Sequence, residues 1–402
     1  MFDSFIILIA LSIACFLAFS RRLTSSSAWK ATVTPLASIM GSGFLISAPL
    51  LAGIVGNRAI IFMTILLVIA FLVGSVIRFN IKHFEPIEHR HKGIANDIAL
   101  LSRIVLAGAY FISITYYLQL LSVFVLRIFN SNTDVTANIL TTSILVFIST
   151  IGIWKGLDKL EIVEKYSIAI NLGVIGTLIL SLLIYNLRLF FDGNWRLPEI
   201  SSSVNFADFR VLLGMLIIVQ GFETSRYLGS EHPAAVRIKT MRNAQIISSM
   251  IYLLFIALAT ILFKTGIGSD VTAIINMTKP VAMVLPFMLT LAAIGSQFSA
   301  AVADESGSGE LIEDLSNKKF EARYAYLLVL FITITITWAS NVNEIIAYAS
   351  RAFAFYYFLQ CVVAFILSYQ DREIKNRALN LSKFFFLALI CLAVFILGIP
   401  SG

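Results

Sequence analysis

Apolar stretches of about 20 residues recur along the whole chain, and nothing else in the sequence constrains the fold as strongly. A hydrocarbon core roughly 30 Å thick takes about 20 apolar residues of helix to cross. With no water inside it to pair the backbone, runs of this kind must be helices. The expected fold is therefore an all-α integral membrane protein. Composition agrees: the 402 residues are 58% hydrophobic and 13% charged, with a mean hydropathy of +0.89. The apolar runs predict about twelve transmembrane helices, at 4–20, 30–55, 58–79, 95–128, 135–154, 163–187, 209–229, 243–264, 281–304, 323–340, 344–369 and 380–399.

The net charge of +7 does not point to nucleic acid, because the basic residues sit in short loops between the runs. Most fall on one side, in loops that hold Arg21 and Arg22, Arg78 to Lys92, Lys155 to Lys165, Arg226 to Arg242, Lys318 to Arg323, and Arg372 to Lys383. The other side has Arg58, Arg127, Arg188, Arg196, Arg210, Lys264 and Lys279. The positive-inside rule then places the first set in the cytoplasm and both termini outside, in a cell membrane read as a bacterial inner membrane. The first run lacks a preceding Lys or Arg and is followed by Arg21-Arg22, so it reads as a retained anchor rather than a signal peptide. Cys15, Cys361 and Cys391 lie in apolar runs and fit neither a disulfide framework nor a zinc site. The loop "HFEPIEHRHKG", with three of the four histidines, reads as a solvated basic loop. "SDVTAIINMTKP", 269–280, predicts a short interfacial helix.

Two runs are interrupted near mid-membrane. In "PLASIMGSGFLISAPLL", Gly41, Ser42 and Gly43 fall roughly 17–20 Å along a helix entering near Lys30. In "LIIVQGFETSRYLG", Gln220 and Gly221 fall roughly 17 Å along a helix entering near Phe209 from the other side. A carboxylate, Glu223, follows within the membrane, and an intramembrane ionisable group is functional by default. The two runs are five apart, an odd offset that reverses direction. Glycine-interrupted segments at corresponding places in two halves mark the binding site of inverted-repeat transporters. The division expected is 1–26 as an extra N-terminal helix, 27–190 and 205–370 as five-helix inverted repeats, and 371–402 as an extra C-terminal helix.

"IMGSGFLISAP" resembles the first core helix of the amino acid–polyamine–organocation (APC) superfamily, with its Gly-small-Gly followed by apolar residues, and "VQGFE" resembles that superfamily's sixth core helix. The resemblance implies a LeuT-type 5+5 inverted repeat and a secondary transporter working by alternating access. The sodium:solute symporters share that fold, and their extra N-terminal helix resembles the first run here. Three departures stand out. Phe44 occupies the position of a sodium-binding Asn in the neurotransmitter:sodium symporters; Ile217-Ile218-Val219 replaces an aromatic run; and Asn171 stands where some proton-coupled relatives carry a lysine.

The candidate substrate residues are Gly41, Ser42, Gly43, Phe44, Tyr116, Gln220, Gly221, Phe222 and Glu223. Free N–H groups after Gly43 favour an anion and unpaired carbonyls before Gly221 favour a cation, so a zwitterion such as an amino acid fits both. The polar patch Ser296, Gln297 and Ser299 offers hydroxyls that, as in sodium-coupled relatives, would join carbonyls near Ala37 and Met40 around one Na⁺. Glu223 is the rival coupling site, for H⁺, or else a structural partner of Arg226 or Arg351. No cofactor beyond the coupling ion is implied. The partners expected are a small solute and the lipid bilayer. A membrane enzyme would need clustered His, Asp or Cys at mid-membrane, and each histidine here is in a loop. No P-loop for ATP-driven transport is present, and no output domain supports the alternative of a sensor or scaffold that kept the fold.

Overall fold

The structure, a computed structural model, describes residues 2–21, 25–41, 43–88, 93–129, 133–155, 157–200, 204–229, 232–264 and 270–400. Their regular structure is helical: α1 Phe2–Phe19, α2 Ser27–Gly41, α3 Phe44–Val55, α4 Ala59–His83, α5 Ile94–Ile128, α6 Asp134–Lys155, α7 Asp158–Phe191, α8 Phe206–Leu213, α9 Thr224–Tyr227, α10 Ala234–Ala259, α11 Ala273–Thr278, α12 Leu285–Leu315, α13 Ala322–Ala339, α14 Val342–Gln370 and α15 Arg377–Leu397. Among the described residues, eight helical stretches are long and apolar enough to cross a membrane, with Ser27–Ile87 counted as one. Asp3–Phe19 and Arg323–Ala339 are shorter apolar helices beside them. Each apolar run read from the sequence falls on helix. The runs at 30–55 and 209–229 are interrupted, the first between α2 and α3, the second between α8 and α9.

Several helices outrun their apolar segments. α12 continues past the expected boundary at 304 to Leu315, and α10 begins at Ala234 rather than 243. Hydropathy locates where hydrocarbon ends; a helix closes its own hydrogen bonds and can project beyond it. Capping sets other ends. Asn205 accepts from the Asp208 N–H while Asp208 accepts from the Asn205 N–H, both at 2.9 Å, which starts α8. Asn341 and Glu344 start α14 in the same way.

α5 packs along both α12 and α14, and α14 in turn along α15. α1 lies against α7, where Ala10, Ala14 and Ala18 are buried one turn apart. A Cβ on Gly173 would stand 2.7 Å from the Ala10 carbonyl oxygen, so the small residues permit this close approach. At the chain's end, Arg210 Nε donates to the Leu397 carbonyl at 2.9 Å, and Ile399 N–H donates to the Arg210 carbonyl at 3.2 Å, which ties the end of α15 to α8. The connection after α7 runs back over α3: Asn57 Nδ2 donates to the Pro198 carbonyl, and Ile200 packs on Gly56, whose φ is +53°. Within 269–280 the short helix expected is α11, with Ala273, Ile274, Ile275, Met277 and Thr278 buried. Large apolar side chains such as Leu8, Phe16, Met250, Phe331 and Phe386 are exposed on the outer faces, as lipid contact requires.

Candidate functional site

The first interruption is short. α2 stops at Gly41 and α3 resumes at Phe44, while Ser42 lies outside the described residues. The second is longer. After α8 the chain makes a 3-10 turn over Leu216–Val219, extends at Gln220, and turns at Gly221 with a φ of +112° before α9. That φ lies in the region that L side chains rarely adopt, so the position favours glycine.

Buried backbone groups freed by a break need partners, and side chains of other helices supply them. Ser350 on α14 accepts from the Ile217 N–H at 2.9 Å. Tyr252 on α10 donates to the Ile218 carbonyl at 2.7 Å and to the Ile39 carbonyl at 3.0 Å, one from each interrupted helix. Thr224 closes the turn by donating to the Gly221 carbonyl at 2.8 Å.

The two interruptions cross in contact. A Cβ on Gly43 would lie 2.3 Å from the Ile218 carbonyl oxygen and 2.4 Å from its Cα. A Cβ on Gly221 would lie 2.7 Å from the Ser38 carbonyl carbon. Each glycine thus admits the backbone of the other helix. The remaining residues of the candidate group are fully enclosed around this crossing. Phe44 packs on Phe255 and Tyr252, with ring centroids 4.4 and 5.3 Å away. Tyr116 is buried against Tyr117, and Gln220 Nε2 reaches the Tyr117 hydroxyl at 3.5 Å. Phe222 stacks on Tyr357 at 5.3 Å.

Glu223 is 1% exposed. Its Oε2 accepts from the Gly221 N–H at 3.0 Å and from the Tyr357 hydroxyl at 2.7 Å. Neither arginine suggested by the sequence pairs with it. Arg226 turns toward Glu88, 3.6 Å away, and Gln360. Arg351 donates to the Phe395 carbonyl at 2.8 Å. Glu223 caps α9 and its carbonyl accepts from the Arg226 N–H at 2.9 Å, so the two residues share one turn; the pair fails because the Arg226 side chain leaves toward Glu88 and Gln360. Among the described residues, no cation stands within ion-pair distance of this carboxylate.

Beside the crossing lies a cavity of about 60 Å³, bounded by α2, α7 and α12. Ala37, Gly41, Asn171, Ser296, Ser299 and Asp304 are among the residues that line it. The structure therefore brings Ala37 together with Ser296 and Ser299. Met40 is buried but does not line this space. On α2 it is the Gly41 carbonyl that faces Ser296 Oγ, at 3.1 Å, and the same hydroxyl reaches the Ala293 carbonyl of its own helix at 3.2 Å. Asp304, which also accepts from Ser113, is a lining residue that sequence reasoning passed over. Its signal was there to read: an acid about one helical turn and a half beyond Ser299, at the end of an apolar run. Tyr252, Ser350 and Tyr357 carried no such signal.

At the end of the bundle that bears the basic loops, a larger cavity of about 580 Å³ is lined by Glu85, Glu88, Arg103, Tyr110, Arg226 and Asp314, with others. The "HFEPIEHRHKG" segment was expected as a solvated basic loop. Its described part is instead tied down by its acids, Glu88 to Arg226 and Glu85 to Arg237 at 2.5 Å. His89 and His91 lie outside the described residues.

A family model described as an APC superfamily transporter matches residues 21–398. The chain is also 41% identical over 380 residues to an uncharacterized protein of Aquifex aeolicus (strain VF5), covering 92% of this chain and 90% of that one.

Proposed function

The chain belongs to the APC superfamily of transporters, and on that premise we propose that it is a secondary active transporter for an amino acid or a similar small zwitterion, coupled to Na⁺. The carrying observation is the crossing of two interrupted helices beside an oxygen-lined cavity. Half-helix ends on either side of such breaks offer N–H groups to a carboxylate and carbonyls to an ammonium. Substrate would enter between the 41–44 stretch, for which Gly41, Ser42, Gly43 and Phe44 are proposed, and Gln220, Gly221 and Phe222, with Tyr116 covering it, once the stretches part. Residues 27–190 and 205–370 would be the two repeats that rock past each other, flanked by 1–26 and 371–402, with both termini outside a bacterial inner membrane.

The hydroxyls of Ser296 and Ser299, the Asp304 carboxylate and carbonyls of α2 form a set of hard oxygens. Such donors suit an alkali cation better than soft or nitrogen-ligated metals. Asn171 on the wall adds a neutral amide where a lysine would compete with the ion. The second reading is H⁺ coupling through Glu223, favoured by its burial with no cation partner among the described residues.

A thermal-shift screen of the purified protein against amino acids and organic acids, with and without Na⁺, identifies a solute. Reconstituted vesicles then receive Na⁺ and pH gradients separately. We expect a Na⁺ gradient alone to drive accumulation. Linkage requires Na⁺ and solute to raise each other's affinity equally, so the Ser296→Ala/Ser299→Ala double variant should flatten the Na⁺ dependence. Full accumulation driven by pH in Na⁺-free buffer, and lost in Glu223→Gln, would overturn the sodium reading.

A further inference from the structure

Arg78 sits five residues before the end of α4 and is 9% exposed. Its guanidinium donates to Gln245 Oε1 on α10 and, at 3.4 Å, to the Phe71 carbonyl, and it lies 5.0 Å over the Phe71 ring. These are neutral partners. The charges that bear on it are positive: Arg242 acts on Arg78, and Arg78 in turn acts on Lys383. Among the described residues, no carboxylate forms an ion pair with any of the three. Asp371, at the same end, bears on His83 instead.

Three helices converge to make this arrangement. Gln245 fits where Gly74 leaves room, since a Cβ there would stand 2.4 Å from its Nε2, and it also donates to the Ala70 carbonyl at 2.8 Å. This locks α10 to α4 and sets Arg242, three residues earlier on α10, beside Arg78. Phe79 meets Phe384 edge-on at 4.8 Å, which brings α15 and its Lys383 to the same place. Arg242 is exposed and Lys383 half-buried. Ile246 and Phe385, next to them, are exposed apolar side chains.

A buried cation with like charges as neighbours is costly unless an anion compensates it. Here the chain supplies none among the described residues, on an outward surface that is cationic at the end of the bundle and apolar above it. We propose that Arg78, Arg242 and Lys383 form a binding site for the phosphate headgroup of an anionic phospholipid, with its acyl chains against the apolar faces of α4, α10 and α15. The apolar flank is the reason to assign a lipid rather than a free phosphate.

The test uses the full-length protein in nanodiscs of phosphatidylcholine doped with phosphatidylglycerol, and counts lipids retained on gentle extraction by native mass spectrometry. The wild type should retain phosphatidylglycerol over phosphatidylcholine. Each cation near an anionic surface contributes about fivefold in affinity, so Arg242→Gln/Lys383→Gln should lose roughly thirtyfold. That variant leaves Arg78 in place and should keep the wild-type unfolding temperature in pure phosphatidylcholine. A control variant, Lys318→Gln/Lys319→Gln, removes two cations of a distant loop and should retain phosphatidylglycerol as the wild type does. Equal retention by the two double variants overturns the site, as does a wild type with no preference between the lipids. Protection by inorganic phosphate equal to that by phosphatidylglycerol overturns the lipid assignment.

Discussion

The two interrupted helices reach the same crossing by different routes. The first is helical up to Gly41 and again from Phe44, and α3 then runs on for 12 residues. The second is irregular or 3-10 from Gly214 to Glu223 and regains only one α-turn, Thr224–Tyr227. The sequences explain the contrast. Two glycines one residue apart weaken helix at a point. In the second, Gly214 and Gly221 bracket five apolar residues and Gln220, among them the β-branched Ile217, Ile218 and Val219, which favour helix less than leucine or alanine. The longer break exposes more backbone, and more side chains serve it: Ser350 and Tyr252 from other helices, Thr224 and Glu223 from its own end. The short break joins two helices directly, whereas the long one is held by hydrogen bonds from its neighbours.

The contrast can be broken most severely at Gly221. An alanine there meets both the strain of φ +112° and the Ser38 backbone. We expect a loss of about 3 kcal/mol or more, read as a drop in the unfolding temperature of detergent-purified protein. Gly43→Ala has no φ penalty but would overlap the Ile218 backbone, which cannot swing aside as a side chain could. Its cost should be about 2 kcal/mol, with loss of uptake in reconstituted vesicles. If Gly43→Ala proved as stable as wild type, the two breaks would not be in contact.

Tyr252→Phe removes the hydroxyl that both breaks use, and Ser350→Ala removes a partner of the longer one alone. Each should cost about 1–2 kcal/mol, because a buried backbone group loses its partner. Hydrogen exchange separates them: Tyr252→Phe should speed exchange on both sides of the crossing, Ser350→Ala only around Ile217. The smallest effect belongs to Gly41→Ala. No atom stands within 4 Å of the added methyl group, and Gly41 is the last residue of α2. Its stability should stay within about 1 kcal/mol of wild type. A large loss there would move the contact from Gly43 toward Gly41.

The positions of the helices were legible because hydropathy and charge record the membrane directly. The breaks were legible because glycines fall at corresponding depths in two runs five apart, beside polar Ser42 in one and Gln220 and Glu223 in the other. The partners of the breaks were not. Tyr252, Ser350 and Tyr357 lie on helices far along the chain and look like ordinary buried residues until folding brings them to Ile218, Ile217 and Glu223. Arg226 follows Glu223 within one turn, as spacing suggests, but Glu88 and Gln360, distant in sequence, take its guanidinium. Gly41, rather than Met40, offers its carbonyl to Ser296, a shift of one residue that spacing along a broken helix could not resolve.

The Tyr252 hydroxyl also raises a matter of counting protons. It has one hydrogen, and two carbonyl oxygens stand within reach, Ile39's at 3.0 Å and Ile218's at 2.7 Å. While the interrupted helices touch, that single hydrogen serves both. Motion that draws them apart obliges the hydroxyl to follow one, and the other carbonyl is left facing the opening without a donor. An oxygen bared in this way attracts an ammonium group or an alkali cation. Were the helices to part, the parting and a gain of affinity for positive charge would be one event.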